Sequence, residues 1–115
     1  MIRVCVCGGR DYMNEEKVFV TLDKLLNIRS DFTIIQGGAR GADAAAFRWA
    51  ALRNIPCETF HADWNKYKHA AGPIRNKQMI DSGIDLLVAF PGGKGTTNMI
   101  EQCIYHEIRT MIIAD

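Results

Sequence analysis

No stretch of this sequence is apolar for long enough to cross a membrane as a helix. The chain enters a strand-like pattern at once, without the charged-then-apolar order of a secretory signal, so a cytoplasmic protein is expected. No pair among its 4 cysteines has CxxC spacing, and the 3 histidines complete no metal signature. Cys5 and Cys7 fall on one face of the first strand pattern, with Cys57 and Cys103 in other elements. All of them read as reduced core thiols, with no metal and no cofactor implied. An excess of one charge is missing too: 14 Lys and Arg stand against 13 Asp and Glu, for a formal net charge of +1. No strong field is available to draw duplex nucleic acid or an acidic membrane. Repeats, linkers and low-complexity tracts are absent as well.

What is present fits one core. The 115 residues are 48% hydrophobic, enough to pack without disulfides or metal, so residues 1–115 are expected to form a single domain. Ile2 to Cys7 reads as a strand stopped by Gly8-Gly9. A polar loop, Arg10-Asp11-Tyr12, leads to Asn14 as a helix cap with Glu15 and Glu16 in the first turn. Val18, Leu22, Leu25 and Leu26 then recur at helical spacing to about Ile28. Phe32 to Gln36 is a second strand, Gly37 to Gly41 a second glycine-rich turn, and Ala42 to Arg53 an alanine-rich helix able to approach a sheet closely. Its Trp49, Phe47 and Leu52 belong to the core or to a subunit contact. Cys57 to Phe60 makes a short third strand, and His61 to Gly72 is the least regular segment. Pro73 suits the first position of a helix over Ile74 to Ser82, stopped by Gly83. Asp85 to Phe90 is an apolar run buried on both faces, and Thr110 to Ala114 a fifth strand.

Strands alternating with helices predict an α/β fold: a mostly parallel five-stranded sheet, joined by right-handed crossovers and covered on both faces. Such sheets take ligands beyond the carboxyl ends of their strands, where strand order reverses. Here those ends carry Gly8 to Asp11, Gln36 to Asp43, His61 to Trp64, and Pro91 to Thr97. The last is the centre of the chain. Pro91-Gly92-Gly93 breaks the ladder, Lys94-Gly95 follows, and Thr96 and Thr97 are expected to cap a helix running through Glu107. Strand, glycine turn and helix N-terminus make an anion site, because bare amides and the helix dipole both favour negative charge. An ordinary tight turn has the same composition.

Four segments carry a resemblance: GGRDY at Gly8 to Tyr12, GGARGAD at Gly37 to Asp43, GPIRNKQM at Gly72 to Met79, and AFPGGKGT at Ala89 to Thr96. In order and spanning nearly the whole chain, they resemble the YspA-related group of the SLOG superfamily. The resemblance implies a Rossmann-like three-layer domain, similar to the Lonely Guy phosphoribohydrolases, which release a base from a nucleoside monophosphate. Other members are thought to bind or process nucleotide-derived ligands, some occur in phages, and a distant branch is the DNA-processing DprA type. Pro91, Gly92, Gly93, Gly95 and Thr96 match the Lonely Guy PGGxGTxxE motif, and Arg75 matches its arginine. The motif's carboxylate falls on Met99. Glu101 lies two residues on, roughly 200° round a helix.

Gly92, Gly93, Gly95, Thr96 and Thr97 thus form the expected phosphate cradle, with Lys94 either pairing with phosphate or solvated. Arg75, near a helix start where the dipole disfavours a cation, suits bidentate phosphate contact. Gly8, Gly9, Arg10, Gly37, Gly38, Arg40 and Gly41 complete the candidate ligand set; Arg10 and Arg40 touch ligand or pair with Asp11 and Asp43. Asp43 and Asp11 each cap a helix or contact a ribose hydroxyl. If a reaction is catalysed, Glu101, Asp11, Asp43 and Asp63 are the candidate acid–base groups. Trp64 and Tyr67 stack on a base or pack the irregular loop; His61 and His69 read as loop residues. The expectation is a module that binds a nucleotide or nucleotide-derived phosphate ligand as sensor or sequestering protein, and that pairs as a homodimer. A Lonely Guy-type phosphoribohydrolase is the alternative. A DprA-like single-strand binder ranks behind both, since such grooves are normally basic.

Overall fold

Apolar strands without alternation need cover on both faces, and this chain provides it with helices of two kinds. In the computed structural model, which describes residues 1–115, one sheet contains β1 (Ile2–Cys7), β2 (Phe32–Gln36), β3 (Cys57–Thr59), β4 (Leu86–Ala89) and β5 (Arg109–Ile112). The order is β3-β2-β1-β4-β5 and every pairing is parallel, so the fold is α/β and Rossmann-like. The chain starts at the centre, builds outward to β3, then crosses back to lay β4 on the other side of β1. The loops after β1 and β4 therefore diverge and leave a crevice between them.

Side chains alternate across β1 and feed two cores. Val4 and Val6 point into one, with Ile34, Val88, Val18, Leu22 and Trp49, beneath α1 (Glu15–Ile28) and α2 (Ala42–Arg53). Cys5 and Cys7 point into the other, with Ile35, Leu87, Met79, Met99 and Cys103, beneath α4 (Ala71–Asp81) and α5 (Lys94–Tyr105). The buried alanines of α2 allow close approach, and Trp49 stacks on Phe32 at 5.9 Å between ring centroids. Phe47 and Leu52, on the same helix, are exposed. The cysteines are free; Cys57, on the edge strand, is only half-buried.

Several boundaries differ from the sequence reading. His61 to Gly72 is not irregular: α3 (Trp64–Tyr67) and a 3-10 turn (Lys68–Ala70) lead directly into α4. Asp63 makes this possible by capping α3, accepting the Lys66 N–H at 3.1 Å. Helix α4 starts at Ala71, so Pro73 sits within the first turn, where a missing N–H costs no helical bond. Thr96 and Thr97 do not cap α5; Gly93 holds the cap position without a side-chain bond, and both threonines lie in the first turn. The helix ends at Tyr105, because Glu107 adopts a left-handed φ of 59°. Strand β5 accordingly begins at Arg109 and ends at Ile112 rather than Ala114.

Candidate functional site

A cleft of about 800 Å³ opens at the crevice between β1 and β4. Its walls are the loops after β1 (Gly8 to Tyr12), β2 (Gly37, Ala39, Asp43) and β4 (Pro91 to Thr96), together with Trp64, Arg75, Asn76 and Met79.

The glycine turns after β2 and β4 look alike in sequence but differ in what their amides do. After β2, Gly37 N–H and Ala39 N–H both donate to Asp43 Oδ2 at 3.2 Å, and Gly38 N–H donates to Gln36 Oε1 at 2.6 Å. At the start of α2, Ala42 N–H donates to Gly9 C=O at 3.3 Å. Gly41 has a φ of +79°, and a Cβ there would collide with the Gly9 and Arg10 carbonyl oxygens. This turn is tied to its neighbours. After β4, the first helical bond is Thr97 N–H to Gly93 C=O at 3.0 Å, so the preceding N–H groups form an open helix end. A Cβ built on Gly93 or Gly95 meets nothing within 4 Å. Thr96 is buried in the cleft wall, and Thr97 Oγ1 turns back to donate to Gly93 C=O at 3.1 Å.

Arg75 crosses from α4 to the end of β2. Its Nη1 donates to Gly37 C=O at 2.6 Å, its Nε to Asn76 Oδ1 at 3.1 Å, and its guanidinium packs against the face of Gly37 where a side chain would stand. Nη2 has no acceptor within the protein. Asn76, only 3% exposed, donates Nδ2 to Gly95 C=O at 3.3 Å and to Asn98 Oδ1 at 3.1 Å. It therefore fixes the start of α5 to α4 and to Arg75. Burial pushes the Asp43 carboxyl up to about 6, against the pull of the Ala39 N–H, the Arg75 guanidinium and the Gly37 N–H. Burial likewise lowers the Arg75 pKa, and Asp43 opposes that shift.

The cleft gathers Gly8, Gly9, Arg10, Asp11, Gly37, Asp43, Arg75, Gly92, Gly93, Lys94, Gly95 and Thr96 from the candidate residues. It does not include Gly38, Arg40, Gly41, Thr97, Asp63 or Glu101. Asp43 does not cap α2; the cap position is Gly41, and the carboxylate instead braces the β2 turn. Arg40 pairs with Asp11 at 3.1 Å, at an exposed rim. Glu101 is exposed on α5, and Met99 is fully buried in the core beneath α4 and α5. His61 lines a smaller neighbouring pocket. Asn76, Tyr12 and Met79 also line the cleft without standing among the residues the sequence points to; for Asn76 the sequence signal is its place beside Arg75.

Parallel sheet, strand-order reversal and glycine-lined cleft define the class: a Rossmann-like α/β protein with a crevice at the carboxyl edge of its sheet. Residues 2–67 match the YspA, cpYpsA-related SLOG family (YAcAr), and the chain belongs to that family. The matched segment covers the first three strand ends, while Arg75 and the Pro91 to Thr96 turn lie beyond it. Gene 61 protein of Mycobacterium phage D29 is 37% identical over 100 residues, covering 82% of this chain and 80% of that protein. Among solved structures, TM1055 superposes with a TM-score of 0.74 at 14% identity, over 96% of this chain and 72% of that one. DNA processing protein A (DprA) from Streptococcus pneumoniae gives 0.57 at 15% identity, over 96% of this chain. The match spans only 58% of DprA. At these identities the likeness is one of fold. No helix is long and apolar enough to cross a membrane.

Proposed function

We propose that the cleft binds a nucleotide or nucleotide-derived ligand through its phosphate, and that the protein acts as a sensor or sequestering module. The observation that carries this reading is the open end of α5 facing the same cleft as Arg75, whose Nη2 lacks an acceptor. Backbone amides at a helix N-terminus and a guanidinium fork are complementary to phosphate oxygens. Family membership supports a nucleotide-related role.

One observation favours a second reading, a phosphoribohydrolase. Asp43 is buried in the cleft with a carboxyl that titrates near 6, within the range of a general base. Against it, the position where the Lonely Guy pattern carries its carboxylate holds Met99, and that side chain is buried in the core.

Calorimetric titration with a panel of nucleoside monophosphates, while chromatography follows free base, separates the two. The binding reading predicts saturable heat, no released base, and loss of binding in Gly93→Val. A valine there enters open space within the protein, and circular dichroism checks that the variant is folded. Undiminished affinity in folded Gly93→Val contradicts the cradle. Released base that disappears in Asp43→Asn supports the hydrolase instead.

A further inference from the structure

We propose that Trp64 is a stacking platform for a nucleobase, which makes the ligand a base-bearing phosphate rather than a bare sugar phosphate. This inference deepens the proposed function and rests on its phosphate reading. The chain has 2 tryptophans, and they are treated differently. Trp49 is fully buried, and its Nε1–H donates to Asp23 Oδ1 at 2.9 Å. Trp64 is 46% exposed, lines the cleft and makes no hydrogen bond through its indole N–H. A tryptophan left half-bare forgoes the large burial that usually justifies its size.

Trp64 is nonetheless held in place. It is the first residue of α3, whose start is fixed by the Asp63 cap, and the edge of its ring reaches Gly72 on α4. The Arg10 guanidinium lies over the ring, 5.2 Å from the centroid. A guanidinium is planar and charged, and stacking on an aromatic face is its preferred contact there. It therefore occupies the place a base would take. Arg10 is exposed, so its long side chain can lift away and cover the outer face of an arriving base.

The cleft then offers two chemically distinct sets of groups. Gly93 and Arg75 offer phosphate donors, while Trp64 and Arg10 offer a flat, sequence-tolerant π-surface. A nucleoside monophosphate carries both groups on one ribose. Ribose 5-phosphate carries only the first, and a nucleoside only the second.

The test uses tryptophan fluorescence together with calorimetry, since Trp49 is shielded and a change in emission reports on Trp64. Each common ribonucleoside monophosphate, the matching nucleosides and ribose 5-phosphate are titrated into the full chain. At least one nucleoside monophosphate should quench emission, and should bind about ten-fold or more tightly than ribose 5-phosphate. Trp64→Ala should remove that advantage and leave ribose 5-phosphate affinity unchanged, whereas Trp64→Phe should keep most of it. Equal binding of ribose 5-phosphate and nucleotides, unaltered in Trp64→Ala, overturns the platform while leaving the phosphate reading intact. Quenching by nucleosides as strong as by nucleotides supports the platform and overturns the phosphate reading. No binding by any of these probes overturns both.

Discussion

Asp43 shows how one residue can be spent on structure and still be poised for chemistry. One carboxylate oxygen satisfies two turn amides, while burial in the cleft disfavours its charge. The folded-state value of about 6 lies above the reference of 3.8. The ionised form is therefore the destabilised one: stability from this group is full below the unfolded value and is lost as pH rises through 6. At pH 7 the cost is on the order of 3 kcal/mol. Asp43→Asn keeps an acceptor for both amides and removes the titration. Its melting temperature should exceed that of the wild type at pH 7, and the two should converge near pH 4. A wild-type slope that survives in the variant would contradict this assignment. From sequence, Asp43 reads as a cap or a ribose contact, because its neighbours Gly41 and Ala42 announce a helix start. What the sequence does not display is that the turn folds back so that Asp43 reaches Gly37 and Ala39. Arg75 was legible as a cleft residue from its place near a helix start, whereas its bond to Gly37 depends on the packing of α4 against β2.

At the scale of elements, the helix starts decide what the molecule can do. Helix α1 is closed by Asn14, which accepts the Lys17 N–H at 3.1 Å. Asn14→Ala should cost about 1 kcal/mol, read as a lower urea midpoint with an unchanged slope, and no change in midpoint would argue against that cap. The first amide of helix α2, that of Ala42, is taken by the Gly9 carbonyl, whereas the first amides of α5 have no such partner. The five strands and most helices were legible because their apolar spacing is local. The state of their termini was not, since Gly37 to Gly41 and Pro91 to Gly95 are both glycine-rich with one basic residue, and what separates them is which neighbours claim their amides. The order α3, 3-10 turn, α4 is hidden in the sequence for a related reason: Trp64 and Tyr67 read as loop aromatics unless Asp63 is taken as a helix cap. Met99 was correctly separated from Glu101 by helical phase, and the structure places the methionine inward and the glutamate in solvent.

Across the whole molecule, the large exposed apolar side chains other than Trp64 lie outside the cleft. Ile104, Tyr105 and Ile112 are exposed where α5 meets the edge strand β5, and Phe47 and Leu52 on α2. We propose that part of this surface closes in a homodimer, most simply about a twofold axis. Light scattering at high micromolar concentration should give twice the chain mass of 12.9 kDa, and a monomer mass would contradict the pairing. The cleft itself depends on topology, because only the reversal of strand order between β1 and β4 brings the open α5 terminus opposite the β1 loop. That placement is tested most directly by an amide-resolved NMR titration with a nucleoside monophosphate. The amides of Gly93, Lys94, Gly95 and Thr96 should shift strongly on saturation, as open donors acquire phosphate oxygens, while those of Gly37 and Gly38, already bonded within the protein, should move little. Strong shifts at the β2 turn with none at the start of α5 would contradict it.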